Sequence, residues 1–350
     1  MSQSTHARVY VDSMKGREHL VSQIRESLEF IGWESLIPPN ARVFVKPNLT
    51  WKSPRPGVTV TPEFMAAAVE VLRERTSKII IGESNGGYHS FQAEEAFESH
   101  GLYDVAKRFG VDVVNLTRLP SQIVTGTVAG RMVEVELPKL LTEEVDVFLT
   151  LPVPKVHSNT TVSLGFKNQW GCLPNPMRLR QHAAFAEKII LINRILKPRI
   201  ALFDATYMLN KNGPMIGEAV DTRLIIAAND AGAGSLVCCE IMRINPWSVK
   251  HHRVARGEGV MPRSLASVTL NQPIAPFQKE RFYVQRNVVN WASLAAFHSK
   301  FLTKLLYDSD LADFCHRALY NVRRNQHVAR LLYGSLGPPE VEGRRQQPTL

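Results

Sequence analysis

Cysteine is scarce: 350 residues contain four, Cys172, Cys238, Cys239 and Cys315. They are too scattered for a disulfide framework. No C-x-x-C pair occurs, so the spacing of an iron–sulfur cluster or a structural zinc site is missing. No cofactor is expected, although histidine and carboxylates drawn from separate loops leave a metal ion open. Also missing is any apolar run of the ~18 residues that a membrane-spanning helix needs. The segment Met1–Ser13 has neither the apolar centre nor the small-residue cleavage site of a secretory signal. The expected setting is the cytoplasm, with no membrane contact. There is no G-x-G-x-x-G, no Walker A lysine loop, no internal repeat and no run of five or six basic residues. Nucleic acid is therefore not the expected partner, despite a formal charge of +10.

What is present is an ordinary globular balance of 44% apolar and 21% charged residues, enough for a sizeable core. Strand-like and helix-like runs alternate through the first two-thirds. The pattern predicts strands at Arg8–Asp12, Arg42–Pro47, Lys78–Gly82, Val111–Asn115, Asp146–Leu151, Ile200–Phe203 and Leu224–Ala227. Helices are predicted at Arg17–Ile31, Thr61–Arg75, Gln92–Phe109, Arg180–Leu196 and Ala233–Arg243. Thr61 before Pro62 and Glu63 reads as a helix start. A hairpin insertion is expected around Ala129-Gly130. Such alternation implies an α/β fold: a mostly parallel sheet flanked by helices, with a hairpin insertion and a helical C-terminal extension. The expected division is an α/β body over 1–245, a basic helical extension over 246–336, and a disordered tail over 337–350. The extension includes helices at Val288–Leu306 and Asp310–Tyr333. His251-His252 reads there as a solvated basic patch. The extension is expected to pack on the body or to form a homodimer contact.

Open α/β sheets bind ligands at the carboxyl ends of their strands, and four strand exits carry polar residues. Lys46-Pro47-Asn48 offers a cation and an amide. Gly82-Glu83-Ser84-Asn85-Gly86-Gly87 is a glycine turn that can bring backbone N–H groups to an anion, with Glu83 as an acid or base. The densest is Pro154–Gly171, with Lys155, His157, Asn159, Thr161, Lys167 and Asn168 set among Leu164, Phe166 and Trp170. Partial burial there depresses a lysine or histidine toward use as a base. The fourth is Phe203-Asp204-Ala205-Thr206. A carboxylate leaving a buried strand needs a partner, and a lysine or histidine of Pro154–Gly171 is the expected one. His182 is a further candidate.

These stretches, KPNL (Lys46–Leu49), TP (Thr61-Pro62), PKVHSNTTVSLGFKNQWG (Pro154–Gly171), FDAT (Phe203–Thr206) and NGPMIG (Asn212–Gly217), resemble the family called domain of unknown function 362 from about Val43 to Met242. The resemblance implies the fold and the site but hardly any reaction. Many members carry a ferredoxin-type module with cysteine runs, which this chain lacks. Ser235 stands where the family tends to place a second aspartate.

The expected function is a non-redox lyase, cyclase or isomerase acting on a small anionic metabolite. Lys155, His157, Lys167 and Asp204 are the catalytic candidates. Lys46, Asn48, Glu83, Ser84, Asn159, Thr161, Asn168 and His182 are the binding candidates for a carboxylate, phosphate or sulfate. One alternative is a metal-dependent enzyme using His157, Asp204, Glu83 or His182. The other is a non-catalytic subunit that docks a partner protein through Arg323, Arg324 and Arg330.

Overall fold

The computed structural model describes residues 7–178 and 184–286, with positions 291 and 294 beyond them. Two compact units divide the chain, one running to Gln285 and the other from Arg286. The strands are β1 (Ala7–Ser13), β2 (Val43–Pro47), β3 (Ile79–Glu83), β4 (Asp112–Asn115), β5 (Ser121–Val128), β6 (Arg131–Pro138), β7 (Val147–Leu151), β8 (Lys155–His157), β9 (Thr161–Ser163), β10 (Ile200–Asn210), β11 (Glu218–Ala228) and β12 (Val268–Leu270). The α-helices are α1 (Leu20–Phe30), α2 (Trp33–Leu36), α3 (Pro62–Leu72), α4 (Ala93–Ser99), α5 (Leu102–Phe109), α6 (Gly165–Asn168), α7 (Phe185–Leu196), α8 (Ala231–Ile241) and α9 (Lys250–Gly257).

The main sheet runs β12-β1-β11-β10-β7-β2-β3-β4. β11 is antiparallel to both of its neighbours, and the other contacts along this order are parallel. The sequence explains why the central strands read as unbroken apolar runs. Val43, Val45, Ile79, Ile81, Leu149 and Leu202 face the core shared with α1, α3, α4 and α5. Phe44, Ile80, Phe148, Phe203 and Ile226 face the opposite core, with α7, α8 and the hairpin. Strands covered on both faces need apolar residues at every position. The fold is the α/β one expected, and the hairpin is β5–β6, turning at Ala129 and Gly130, both with positive φ.

Three differences have physical causes. The helix expected over Gln92–Phe109 is two helices, because Gly101 takes φ 68° between them. β10 and β11 are longer than their apolar runs, pairing as a hairpin to Asn210↔Glu218, where β10 is still buried and β11 is largely exposed. The first unit also continues past Asn245, since β12 pairs with β1 and α9 packs on α7. The helices expected beyond Val288, the tail, and Arg323, Arg324 and Arg330 lie outside the described residues, as does His182. Among the described residues no helix is long and apolar enough to cross a membrane.

Candidate active site at the strand carboxyl ends

β2, β3 and β7 lie side by side and parallel, so their exits share one edge of the sheet. Lys46, near the end of β2, is 1% exposed and ion-paired with Glu83 at the end of β3, itself 5% exposed. Lys46 Nζ also donates to the Pro47 carbonyl at 2.7 Å. Glu83 accepts the backbone N–H of Ser84 at 3.0 Å. Two of the three N–H bonds of Lys46 are thus engaged. Gly171 backs this pair: a Cβ there would stand 2.9 Å from Lys46 Nζ, so only a glycine lets the chain pass so close.

Lys155 opens β8, which the sheet holds through Leu209↔Lys155 on one side and Lys155↔Ser163 of β9 on the other. Its side chain is fully buried. The ammonium donates to Asn48 Oδ1 at 2.9 Å, to Thr50 Oγ1 at 3.3 Å and to the Val58 carbonyl. Three acceptors for three N–H bonds favour the charged form in this geometry. Burial opposes it and brings its proton loss down to about 7, with Lys46 lowering it further and Glu83 raising it. Lys155 is therefore poised to exchange a proton near neutrality.

Lys167, on α6, differs. Part of its surface stays accessible, yet its ammonium end is enclosed, and that desolvation holds it well below the ordinary lysine value, helped by the charge on Lys155. Its ammonium lies 5.7 Å from the centre of the Phe185 ring. Among the described residues it has no hydrogen-bond partner. His157 ends β8, and its Nδ1 accepts the Asn159 backbone N–H at 3.1 Å, which places the proton of the neutral ring on Nε2. The side-chain carbonyl oxygen of Asn159 is buried without a partner. Thr161 sits at φ 69°, a left-handed conformation that a β-branched residue adopts only under constraint.

Several candidates support the site rather than line it. Asn168 Nδ2 donates to the Lys46 carbonyl and to Thr150 Oγ1, each at 2.9 Å, pinning the backbone of Lys46. Gln169 continues this network, donating to Asn193 at 2.8 Å. Asp204 does not meet the partner expected of it. Thr61 donates to Asp204 Oδ2 through its N–H (2.7 Å) and its hydroxyl (2.9 Å). Thr206 does the same to Oδ1, at 3.0 and 2.6 Å. The hydroxyl of Thr61 consequently serves Asp204 rather than capping α3, although Thr61 holds the N-cap position. Burial raises the Asp204 carboxyl above its ordinary range, against the pull of these four donors.

The solvated patch expected at His251-His252 is buried, at 2% and 0% exposure. α9 turns both rings inward, with His252 6.1 Å from Phe166 in an edge contact. Desolvation holds His251 well below the usual imidazole range and His252 at about 3. Their Nε2 atoms have no partner. Cys172 is equally sealed, its thiol pushed up to about 12 by burial. Cys172, Cys238 and Cys239 are free thiols. Among the described residues no group of three or more His, Cys, Asp or Glu is arranged to hold a metal. Two contributors escaped sequence reasoning: Thr50, which has no motif around it, and Arg178, which follows the turn Pro174-Asn175-Pro176 outside every motif.

The motifs KPN, PKVH and KNQWG thus converge on one buried polar cluster, while TP and FDAT form a separate clamp. A family model described as a domain of unknown function, DUF362, matches residues 43–240, more than half of the chain. The chain belongs to the DUF362 family. The matched span contains Lys46, Glu83, Lys155, Lys167, Arg178 and Asp204, and stops short of α9 with its two histidines. Outside the family model, a thylakoid-associated protein of Synechocystis sp. is 24% identical over 239 residues, covering 66% of this chain and 72% of that protein. Among solved structures, the lactate racemase apoprotein of Thermoanaerobacterium thermosaccharolyticum overlaps at a TM-score of 0.45 with 14% identity, over 68% of this chain and 57% of that one. A Thermotoga maritima protein overlaps at a TM-score of 0.36 with 15% identity, over 59% and 53%. This DUF362 member therefore spans little more than half of either solved chain. Overlaps this loose leave activity to be argued from its own residues.

Proposed function

We propose that this DUF362 protein is a non-redox enzyme, an isomerase or lyase in type, that moves a proton on a small anionic molecule held at the carboxyl ends of β2, β3 and β7. The observation that carries this reading is Lys155. It is fully buried, wired to three oxygen acceptors, and close to proton exchange at about 7. A group whose proton equilibrium lies near neutrality is suited to general acid–base work. Lys46 supplies positive charge for the anionic part of the substrate and for charge that develops as a C–H or C–O bond breaks, and an anion beside Lys167 would favour its protonated form. Glu83 pairs with Lys46 and orients it. His157, as an Nε2–H donor, and Asn159, with its unpartnered oxygen, position polar groups of the substrate. Asp204 belongs to the scaffold here, since its four donors satisfy it.

Proton transfer is testable without knowing the natural substrate. The protein is incubated in deuterium oxide with a panel of small hydroxy, oxo and amino acids and phosphate esters, and C–H exchange is followed by nuclear magnetic resonance. At least one compound is expected to wash in deuterium. Lys155→Met should slow that exchange by about 100-fold or more. With Lys155 as base, the wild-type rate rises with pH through about 7. No exchange across the panel, or exchange indifferent to Lys155, removes this reading.

A further inference from the structure

Four cationic side chains, Lys46, Lys155, Lys167 and Arg178, are each close enough to another member of this cluster to shift its titration or share its counter-charge, and the carboxylate among them is Glu83. Burial presses Lys155, Lys167 and Arg178 toward their neutral forms, and a bound anion would relieve that pressure. The glycine turn after β3 looks in sequence like its cradle, but its amides from Ser84 to Gly86 are taken. Ser84 N–H is donated to Glu83 Oε1 at 3.0 Å and faces the Gly171 carbonyl at 3.3 Å. Asn85 N–H goes to Thr117 Oγ1 at 2.9 Å, and Gly86 N–H to the Phe91 carbonyl at 2.9 Å. The start of α4 is closed as well, by a capping box between Gln92 and Glu95 and by Asn85 Oδ1 accepting from Ala93 at 2.9 Å. A nest of backbone N–H groups for a phosphate is therefore not offered here.

What the turn does offer is side chains. Arg178 is half-buried and uses one donor, Nη1 to the Asn85 carbonyl at 3.0 Å. Of the five N–H bonds of a guanidinium, the other four have no partner among the described residues. Beside Asn85, Ser84 is 1% exposed and its hydroxyl has no partner either. The nearby Cys172 is no counter-ion, since its thiol stays protonated. A guanidinium fork can grip a carboxylate or a phosphate, but with the amides from Ser84 to Gly86 engaged and the fork held on Asn85, the residue after Ser84 with its unpartnered hydroxyl, a two-oxygen anion is the better match.

We propose that Arg178 and Ser84 form the substrate-anchoring subsite of this enzyme, and that the group they hold is a carboxylate. This rests on the reading of the site as one for small anions and narrows it. Arg178 takes both carboxylate oxygens, Ser84 donates to one of them, and the rest of the molecule extends toward Lys46 and Lys155. Burial lowers the Arg178 guanidinium below its ordinary value, as expected of a cation awaiting an anionic partner.

The test is direct binding to the full chain by calorimetry. Acetate, glycolate and malonate are compared with sulfate and phosphate at an ionic strength held constant with chloride. At least one carboxylate should bind more tightly than either tetrahedral anion. Arg178→Lys, which keeps the charge and removes the fork, should weaken it by about tenfold or more. Ser84→Ala should weaken it by about threefold. Circular dichroism checks folding, and Ser84→Ala carries the test if Arg178→Lys does not fold. Carboxylate binding that both variants leave intact, tighter binding of sulfate or phosphate, or no carboxylate binding at all would each overturn the subsite. None of these outcomes touches the deuterium exchange and its dependence on Lys155, so the two ideas fail separately.

Discussion

Two buried acids of the main sheet invite comparison. Glu83 ends β3 and Asp204 lies within β10, at 5% and 1% exposure. Asp204 is met by two N–H groups and two hydroxyls, all neutral, from residues that it thereby ties together. Glu83 is met by an ammonium, and that ammonium belongs to a group of cations that outnumbers it. A carboxylate fully satisfied by neutral donors holds a fold. One that partly neutralises a cationic cluster leaves charge for a ligand. The same residue class in one sheet thus separates into structural and chemical roles by what surrounds it.

The comparison breaks first at Glu83. Glu83→Gln leaves Lys46 buried beside other cations and should cost about 3–5 kcal/mol of stability by denaturant unfolding. Adding Lys46→Met should recover much of that loss. If the single variant costs nothing, the two acids are alike after all. Asp204→Asn turns an NH2 group toward a backbone N–H, and should cost about 1–3 kcal/mol. It should leave the pH dependence of deuterium exchange where it was. A shifted profile would move Asp204 into the chemistry.

A smaller effect concerns Lys155, whose folded value of about 7 lies below the ordinary 10.5. Between these values the unfolded chain binds more protons than the folded one, so stability from this group rises with pH across that interval. The slope is at most about 1.4 kcal/mol per pH unit. Lys155→Met should flatten the rise measured by urea unfolding at successive pH values; an unchanged slope would mean that Lys155 keeps its proton throughout. Least of all, Cys172→Ala should leave exchange within about twofold of wild type, and iodoacetamide should not label Cys172 in the native protein at mildly alkaline pH. Rapid labelling would contradict its sealed thiol.

Much of this architecture was legible because burial on both faces writes itself into consecutive apolar residues, as in Val43–Val45, Ile79–Ile81 and Ile200–Phe203. Lys46 and Glu83 were legible for a related reason: charge directly after such a run must sit at a sheet edge. The partner of Asp204 was not, because Thr61 lies 143 positions away and threonine carries no charge to attract notice. β8 and β9 are three residues each, too short for alternation to register. The basic run Lys250–Arg253 concealed its two imidazoles, since a helix turns neighbouring positions to different sides and only the packing of α9 shows which go inward. Arg178 became visible only through what its guanidinium leaves unused.

The placing of β1 has a consequence for synthesis. It lies between β11 and β12, partnered by Leu224–Ala228 and Val268–Leu270. A growing chain therefore makes β1 long before either neighbour exists. β2, β3 and β7 can associate once residue 151 has left the ribosome, and the Lys46–Glu83 pair with them. β1 must wait for Leu224–Ala228 to cover one edge and for Val268–Leu270 to cover the other. Contacts this distant in sequence form slowly and leave strand edges open to other chains. The first of these strands in chain order thus waits longest for its second neighbour, and chaperone protection during translation is expected to matter there.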